Sequence, residues 1–392
     1  MDKFDVIIVG CGPAGSTAGY MLGRSGIPTL LLDRSEFPRR KLCGGGLTNK
    51  TMGLLGRVFH ETADSLQQSG IINASSEEYD IYFRDRLITH GLSRFPFMFT
   101  DRYVYDDFLL QKARNTGCTT IKYDKVVGFD PEDNIIKTAS GRTYQSRFII
   151  GADSANSVIR KHMPPRIYSA KKWEHNLAIA LETYIPRLDF AMDIFHPIIY
   201  FGYVDWGYSW IFPNDNAMLV GMGSLCRKTG KDLKQKFRDF ISAITPVYSI
   251  DITKDLKVLG YPVPSGNYLK RPAYKNTLLV GDAAGFADPI SGEGIYQAQR
   301  SAEIASLSII RAMSQNLAAD QLYIDLLKRY VFQDLLYARI LRWLVFTAMN
   351  CLNFNQICLL TKRGEKRALD IVHGLRTYRF LKLTSAAHED IL

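Results

Sequence analysis

The chain has 392 residues, of which 46% are hydrophobic and 22% charged, and its formal net charge is +10. This length and apolar content suffice for a large core and predict two interleaved domains, which excludes a disordered or fibrous chain. An apolar segment follows Met1 closely, so we expect no signal or transit peptide and a cytoplasmic protein. The six cysteines form no Cys-x-x-Cys pair and no cluster with histidine, which predicts reduced thiols and no metal site.

A glycine-rich turn follows the first apolar segment, residues 6–9. The turn carries Gly10, Gly12, Ala14 and Gly15. Small residues at this spacing after a strand allow a tight turn, close approach of backbone to a pyrophosphate and close packing of a helix. Asp33 ends the next apolar segment, residues 28–32, where a carboxylate suits the ribose hydroxyls of an adenine dinucleotide. This pattern predicts a dinucleotide site but leaves FAD and NAD open.

A second glycine-containing segment lies far downstream. The apolar residues 278–280 lead into Gly281 and Asp282, and a helix is predicted to begin near Gly294 and Ile295. The flavin half of FAD extends away from the first helix and must meet a second strand end. The two segments therefore predict the two ends of one FAD site.

The remaining pattern predicts a discontinuous α/β fold. A helix is expected from Asp101 to about residue 115, followed by strands at 119–129, 134–139 and 143–150. Further strands are expected within 70–98 and at 177–184, 198–204, 208–212 and 217–223. These elements predict a Rossmann-like FAD-binding domain (1–70, 99–167 and 266–315), an interleaved antiparallel substrate-binding sheet (71–98 and 168–265) and a C-terminal helical region (316–392).

The C-terminal region is basic, with nine Lys or Arg and two Asp or Glu in residues 339–382. Within it, residues 343–361 carry no charge, but four Asn or Gln side chains would be costly at the centre of a membrane-spanning helix. One interpretation is a pair of helices that cap an apolar cavity or lie at a membrane surface, with basic flanks facing lipid phosphates. The other is an ordinary helical subdomain with a solvated basic face. No nucleic-acid-binding module accompanies the charge, so no nucleic acid partner is expected.

The order of motifs resembles the FAD-dependent oxidoreductases that include aromatic hydroxylases, flavin halogenases and geranylgeranyl reductases. The motifs are the first glycine turn with Asp33, then Arg102, Gly151-Ala152-Asp153 and Gly281-Asp282. Residues 41–47 (Lys-Leu-Cys-Gly-Gly-Gly-Leu) and 207–213 (Gly-Tyr-Ser-Trp-Ile-Phe-Pro) are similar to segments of the geranylgeranyl reductases. The resemblance covers about the first 310 residues. It departs at Leu42, Ser154 and Asn214, where that family often has proline, glycine and lysine.

The resemblance implies a set of FAD contacts. They are Ala14 at the pyrophosphate, Asp33 at the ribose, Arg102 at a phosphate or the ribityl chain, Val126 at the adenine, Asp282 at the ribityl hydroxyls or pyrophosphate, and Cys43, Gly44 and Gly46 in a loop that reaches the flavin. Backbone N–H groups of Gly294 and Ile295 would face the pyrimidine edge, where a helix N-terminus favours the negative charge of reduced flavin. Arg102 has a plainer alternative as a surface arginine at a helix start, and Asp153 as a helix cap.

Two further features bear on chemistry. Cys43 adjoins three glycines and three basic residues, which favours a place near the reacting centre over simple packing. Tyr208, Trp210 and Phe212 alternate along a predicted strand and therefore share one face. That aromatic wall could line a tunnel for an isoprenoid chain or could be core packing.

The resemblance implies a prenyl reductase, in which reduced FAD passes a hydride to one carbon of an isoprenoid double bond and a proton reaches the other. Cys43 and Tyr208 are the candidate acid or relay groups. The implied partners are an isoprenoid lipid and an electron donor, NADPH or reduced ferredoxin. A flavin monooxygenase or halogenase of an aromatic substrate is the first alternative, for which Lys41 and Lys50 are the available early-loop lysines. A non-catalytic flavoprotein that binds FAD and lipid is the second.

Overall fold

The computed structural model describes residues 2–190, 194–226, 232–250 and 256–381. The end of the predicted helical region, from Lys382 onward, lies outside the described residues. So do three short stretches of the predicted 168–265 segment. The strands are β1 (Asp2–Val9), β2 (Thr29–Asp33), β3 (Gly46–Leu47), β4 (Ala74–Phe83), β5 (Arg86–Phe99), β6 (Thr119–Tyr123), β7 (Val126–Asp130), β8 (Ile135–Thr138), β9 (Thr143–Gly151), β10 (Ala178–Pro186), β11 (Ile198–Phe201), β12 (Gly207–Pro213), β13 (Ala217–Leu225), β14 (Leu259–Val263), β15 (Ala273–Tyr274) and β16 (Thr277–Leu279).

Seven of the described α-helices lie between strands along the chain, and four follow the last strand. They are α1 (Pro13–Arg24), α2 (Asn49–Phe59), α3 (Ala63–Gln68), α4 (Arg102–Arg114), α5 (Val158–Lys161), α6 (Ala170–His175), α7 (Leu233–Tyr248), α8 (Ile295–Gln315), α9 (Ala319–Leu327), α10 (Gln333–Cys351) and α11 (Phe354–Val372). A π-helical turn, Lys328–Phe332, joins α9 to α10.

The first sheet contains both glycine-rich segments. Its order is β15-β16-β9-β1-β2-β6, and the four pairings from β16 to β6 are parallel. Parallel strands flanked by helices are buried on both faces, which is why residues 6–9 of β1 and 30–32 of β2 are continuous apolar runs. Because β1 and β16 are separated only by β9, their carboxyl ends lie at the same edge. The Rossmann-like part of the predicted fold is confirmed.

The second sheet covers that edge. Its order is β14-β10-β13-β12-β11-β4-β5-β3, and all its pairings except β11 with β4 are antiparallel. Its outer face packs on α7 through a core that includes Leu181, Ile211, Phe237 and Phe240. The inner face turns toward the first sheet, so a large space remains between the two. This is the predicted antiparallel sheet.

Two details differ from the predicted elements. The expected strand 119–129 is two strands: β6 pairs with β2 in the parallel sheet, whereas β7 pairs with β8. The strand is interrupted at Asp124, whose carboxylate accepts hydrogen bonds from Ser140 in the turn after β8. The second difference is α7, a sixteen-residue helix inside a segment that was predicted only as strands.

The C-terminal helices α10 and α11 form a hairpin that closes one side of the space between the sheets. Ala338 of α10 and Ile371 of α11 belong to one buried cluster with Tyr378. Glu365 of α11 reaches β4 and β5, where it accepts hydrogen bonds from Tyr79 and Thr89. Among the described residues, no helix combines the length and apolar character needed to cross a membrane.

Candidate functional site

One continuous cavity of about 1140 Å³ lies between the two sheets and the α10–α11 hairpin. It begins at the carboxyl ends of β1 and β2, passes along the inner face of the second sheet and ends against α10 and α11. Pockets for small molecules and cofactors are commonly about 300–1,000 Å³, mostly apolar, with a few convergent polar groups. The cavity is therefore large enough for more than one ligand.

The dinucleotide end of the cavity is formed by the first turn and Asp33. Gly10 has φ +102°, and an added Cβ would lie 2.4 Å from the carbonyl oxygen of Ala152, so no larger residue fits this turn. The Asp33 carboxylate accepts hydrogen bonds from the N–H groups of Cys11 (2.8 Å) and Ser35 (3.0 Å). No side chain caps the N-terminus of α1, since Gly12 is the N-cap residue and its first N–H groups remain available to a phosphate.

The second glycine segment meets the first one directly. A Cβ placed on Gly281 would lie 3.6 Å from the Cβ of Ala14. The Gly281 N–H donates to Ser301 Oγ of α8 at 2.9 Å, which fixes this strand end. Asp282 lines the cavity, and burial raises the pKa of its carboxyl group, while Lys41 and Arg102 act in the opposite sense. The two predicted ends of the cofactor site are thus brought together.

The start of α8 is held by the loop that precedes it. Asp288 accepts hydrogen bonds from the N–H groups of Ile290 and Ser291, both at 2.9 Å. Glu293 forms an ion pair with Lys50 and accepts a hydrogen bond from Thr48 at 2.9 Å. The N-cap residue Gly294 supplies no side chain, and both it and Ile295 line the cavity. This arrangement leaves backbone N–H groups at the helix start to face a ligand.

Arg102 is buried rather than a surface arginine. It begins α4 after Asp101, whose carboxylate caps that helix by accepting from the Tyr103 N–H at 2.8 Å. Arg102 Nε and Nη2 donate to Asp106 at 2.5 and 2.8 Å, and Arg39 approaches the same carboxylate at 3.0 Å. Burial alone would lower the pKa of Arg102, but Asp106 and then Cys43 outweigh it and raise the pKa. The guanidinium is a fixed positive charge beside Cys43.

The Cys43 loop lies against the aromatic wall. The ring of Phe212 packs on Gly44, where an added Cβ would be 2.9 Å from it. The ring centroids of Trp210 lie 5.5 Å from those of Tyr208 and 5.9 Å from those of Phe212, and all three rings line the cavity. The Tyr208 hydroxyl donates to the carbonyl of Ser291 in the loop before α8, and burial raises its pKa. Cys43, Gly46 and Val126 also line the cavity.

Asp153 serves a helix. Its carboxylate accepts hydrogen bonds from the N–H groups of Val158 (2.6 Å) and Ile159 (3.2 Å) at the start of α5. Arg160 of the same helix is buried and donates to the carbonyls of Ala155 (2.5 Å) and Ala283 (3.1 Å). These contacts tie the turn after β9 to the turn after β16.

The structure adds Glu182, which sequence reasoning missed. It lies on β10, is 2% exposed and lines the cavity. Burial raises the pKa of its carboxyl group to about 7, with Lys41 and Arg102 acting against that rise. Asn214 lies elsewhere, in the turn after β12, where it accepts a hydrogen bond from Asn73 at 2.6 Å. The available signal for Glu182 was a charged side chain inside the strand predicted at 177–184.

These residues fit FAD. The Gly10 turn leaves room for a pyrophosphate, Asp33 presents a fixed carboxylate, and the starts of α1 and α8 offer N–H groups without side-chain caps. Asp282 adds a carboxyl group near the start of α8, where its Oδ1 would lie 3.6 Å from a Cβ placed on Gly294. When bound, FAD would supply redox chemistry at the point where the aromatic wall begins.

Comparison with known proteins agrees with this geometry. A family model described as FAD binding domain matches residues 3–303. The chain is 31% identical over 309 residues to an uncharacterised protein of Methanosarcina barkeri (78% of this chain, 74% of that one). It is 26% identical over 336 residues to geranylgeranyl diphosphate reductase of Rhodobacter capsulatus (81% and 78%). It is also 26% identical over 351 residues to digeranylgeranylglycerophospholipid reductase 1 of Methanococcoides burtonii (84% and 80%).

Solved structures share the fold. A geranylgeranyl bacteriochlorophyll reductase-like protein of Thermoplasma acidophilum superposes with a TM-score of 0.75 at 20% identity, covering 95% of this chain and 92% of that one. A single-residue mutant of the halogenase PltM, in complex with FAD, superposes with a TM-score of 0.74 at 16% identity, covering 95% of this chain and 83% of that one. The fold is therefore shared with a reductase-like protein and a halogenase, whereas the sequence relatives include proteins named as reductases. The chain belongs to the FAD-binding domain family of oxidoreductases, with the geranylgeranyl reductases among its relatives, and its cofactor is FAD.

Proposed function

We propose that this protein is an FAD-dependent reductase that saturates isoprenoid double bonds of geranylgeranyl type in a lipid or a prenyl diphosphate. The observation that carries the proposal is the continuity of the cavity from the cofactor turn, across the aromatic wall, to the C-terminal hairpin. Relatives named as geranylgeranyl reductases support the same substrate class.

The substrate end of the cavity suits a long apolar chain. Its apolar lining there includes Phe201 and Ile199 of β11 and Leu341, Val345 and Met349 of α10, and the charged Glu365 and Arg367 of α11 also line the cavity. A prenyl chain would bury apolar surface against the uncharged part of this lining. An aromatic substrate the size of one ring would leave most of this length without contacts.

The chain's own groups act on orientation, water and protons. An isolated double bond is not polarised, so exclusion of water and a positioned acid must supply much of the catalysis. Cys43 and Tyr208 remain the acid or relay candidates from the sequence. The Tyr208 hydroxyl already donates to the Ser291 carbonyl, which suits it to holding the loop before α8. Reduced FAD, when bound, supplies the hydride.

The α10–α11 hairpin also suits contact with an anionic membrane surface. On α10, Leu336, Ile340 and Trp343 follow helical spacing and are 38%, 44% and 58% exposed. On α11, exposed Lys362, Arg363 and Lys366 follow the exposed pair Leu359 and Leu360. Exposed apolar residues beside basic ones favour binding at the interface of an anionic bilayer. Because the same hairpin lines the cavity, a lipid substrate would enter from that side.

The membrane contact is tested by sedimentation with anionic vesicles. We expect binding that weakens as salt is raised, and a large loss in the triple variant Lys362→Glu, Arg363→Glu and Lys366→Glu. The matched control reverses Lys234, Lys236 and Arg238 on α7, on a different part of the surface. Equal vesicle binding by both variants would show that the hairpin is an ordinary helical subdomain with a solvated basic face.

The reductase function is tested by oxidation of the prereduced flavin without oxygen. Addition of geranylgeranyl diphosphate, or of a geranylgeranyl lipid, should restore the oxidised flavin spectrum. The fully saturated phytanyl analogue is the control and should leave the flavin reduced. Flavin that stays reduced with every prenyl compound, together with a hydroxylated or halogenated product when oxygen and an aromatic substrate are supplied, would favour a monooxygenase or halogenase. Binding of the lipid without either reaction would favour a non-catalytic flavoprotein.

A further inference from the structure

A buried carboxyl group faces the cavity from the second sheet. Along β10, Ala178, Ala180 and Glu182 alternate on the inner face and all three line the cavity, while Leu181 and Ile185 belong to the outer core. Glu182 Oε2 is buried, and among the described residues it has no hydrogen-bond partner. An unpartnered buried carboxyl oxygen is costly to stability, so its retention at a cavity wall points to a ligand or a reaction.

The strand register puts Glu182 beside the aromatic wall. Glu182 is paired with Gly221 of β13, and Gly221 is paired with Trp210 of β12. A Cβ on Gly221 would lie 2.5 Å from Trp210 Nε1, so the indole lies over this glycine and no larger residue fits there. Trp210 Nε1 is likewise buried and has no hydrogen-bond partner among the described residues. Glu182 Oε2 and Trp210 Nε1, two polar atoms without hydrogen-bond partners, thus belong to the two residues that flank Gly221 on the inner face.

The charges around Glu182 would stabilise its ionised form after proton loss. Lys41 and Arg102 both favour its carboxylate, and both line the cavity at the flavin end. Lys41 is itself held at that end, with its Nζ 3.5 Å from the centroid of the Tyr261 ring and 3.1 Å from the Leu42 carbonyl. Burial raises the pKa of Tyr184 on β10 and of Tyr208 on β12, and the charge of Glu182 adds to the rise in both.

We propose that Glu182 is the proton donor of the reduction, placed on the inner face of β10 between the cationic flavin end and the aromatic wall. This inference rests on the proposed prenyl reductase function. A pKa of about 7 for Glu182 suits the role, because an acid is most effective when its pKa is close to the working pH. Tyr208 is less suited, since burial raises its pKa and its proton is engaged by Ser291.

The proton step balances. The π bond of the alkene breaks, one carbon accepts the hydride that a reduced flavin supplies, and the other carbon accepts the proton of the Glu182 carboxyl group. Two C–H bonds form, the flavin is left oxidised, and Glu182 is left as a carboxylate that the charges of Lys41 and Arg102 stabilise. Water at the open side of the cavity returns the proton to Glu182 before the next turnover.

The test uses Glu182→Gln and Glu182→Asp in the FAD-loaded protein, with exposed Glu174→Gln on α6 as the matched control. We expect Glu182→Gln to retain FAD and to slow single-turnover alkene reduction by about 10²–10⁴. Glu182→Asp should recover part of that rate, whereas Glu174→Gln should equal the parent protein. In the parent protein, the rate should fall as the pH rises through about 7, because the acid form is lost.

A second readout does not depend on activity. Infrared spectra of the oxidised protein should contain a protonated carboxyl band that disappears as the pH rises through about 7 and that is missing in Glu182→Gln. An unchanged band and an unchanged single-turnover rate in Glu182→Gln would overturn this inference while leaving the reductase function standing. If the parent protein reduces no prenyl double bond, the proposed function fails, and the proton-donor role fails with it. If Glu182→Gln does not fold, the pH profile of the parent protein and the Glu182→Asp rate decide.

Discussion

Glu182→Gln should change how stability depends on pH, because the buried carboxyl favours its neutral form in the folded state. Its pKa rises from an ordinary value of 4.5 to about 7 on folding. Below about pH 4.5 both states hold the proton. As the pH rises toward 7, the unfolded chain releases it first, so the folded state loses stability relative to the unfolded state. Above about pH 7 the loss is complete.

The size of this effect follows from the shift. Each pKa unit corresponds to about 1.4 kcal/mol, so a rise from 4.5 to about 7 costs about 3 kcal/mol between acidic and alkaline pH. Glu182 is only 2% exposed, so solvent screening reduces the figure little. For a chain of this size, about 3 kcal/mol corresponds to a change of about 3–6 °C in the melting temperature.

The assay is thermal unfolding of the FAD-loaded protein at a series of pH values from 4 to 8. The quantity to compare is the difference in melting temperature between Glu182→Gln and the parent, which removes the pH dependence of the other groups. We expect this difference to grow in favour of the glutamine variant as the pH rises. Glu174→Gln should show no such trend. Parallel pH profiles for Glu182→Gln and the parent protein would refute the assignment of a raised pKa to this carboxyl group.

Three further predictions follow from the cofactor end of the cavity. Asp282→Ala should lose FAD occupancy, as measured by flavin content. Asp153→Ala should keep FAD and lose about 1 kcal/mol of unfolding free energy, because Asp153 caps a helix. Equal flavin loss in the two variants would contradict this division of roles. Cys43→Ser should keep FAD and slow alkene reduction less than Glu182→Gln does in single turnovers from prereduced protein, and an equal loss would put Cys43 in the proton path. Acid precipitation of the yellow protein should release free FAD, and colour retained in the pellet would contradict a non-covalent cofactor.

Much of the cofactor end could be predicted because its chemistry depends on local sequence. A buried parallel strand needs an apolar run, and the following turn needs glycine, so the residues around Gly10 are readable without long-range information. The same holds for Asp101, which caps α4 through a contact two residues away. The adjacency of Gly281 and Ala14 was predictable only because both segments have a dinucleotide-binding pattern.

The substrate end was less readable. In β10 the consecutive residues 181–183 are all buried, although Glu182 and Thr183 are polar. The sequence of this strand therefore shows no simple alternation of polar and apolar residues that would assign Glu182 to the inner face. Its neighbour Trp210 is fixed by the register with Gly221, which depends on strand pairing distant in sequence. The helix α7 has buried residues at helical spacing, but it contains Pro246, and proline usually ends a helix. Composition does not show which face of a helix is covered. The sequence therefore left two interpretations of the C-terminal region open, a pair of helices over a cavity or at a membrane and an ordinary helical subdomain.

The central claim is that this chain saturates isoprenoid double bonds, and the mass of the product tests it most directly. Prereduced protein is incubated without oxygen with a geranylgeranyl lipid or diphosphate, and the mass of the recovered prenyl chain is measured by mass spectrometry. We expect a gain of two hydrogen masses for each double bond reduced. An unchanged mass, or in the presence of air a product carrying an added oxygen or halogen, would contradict it.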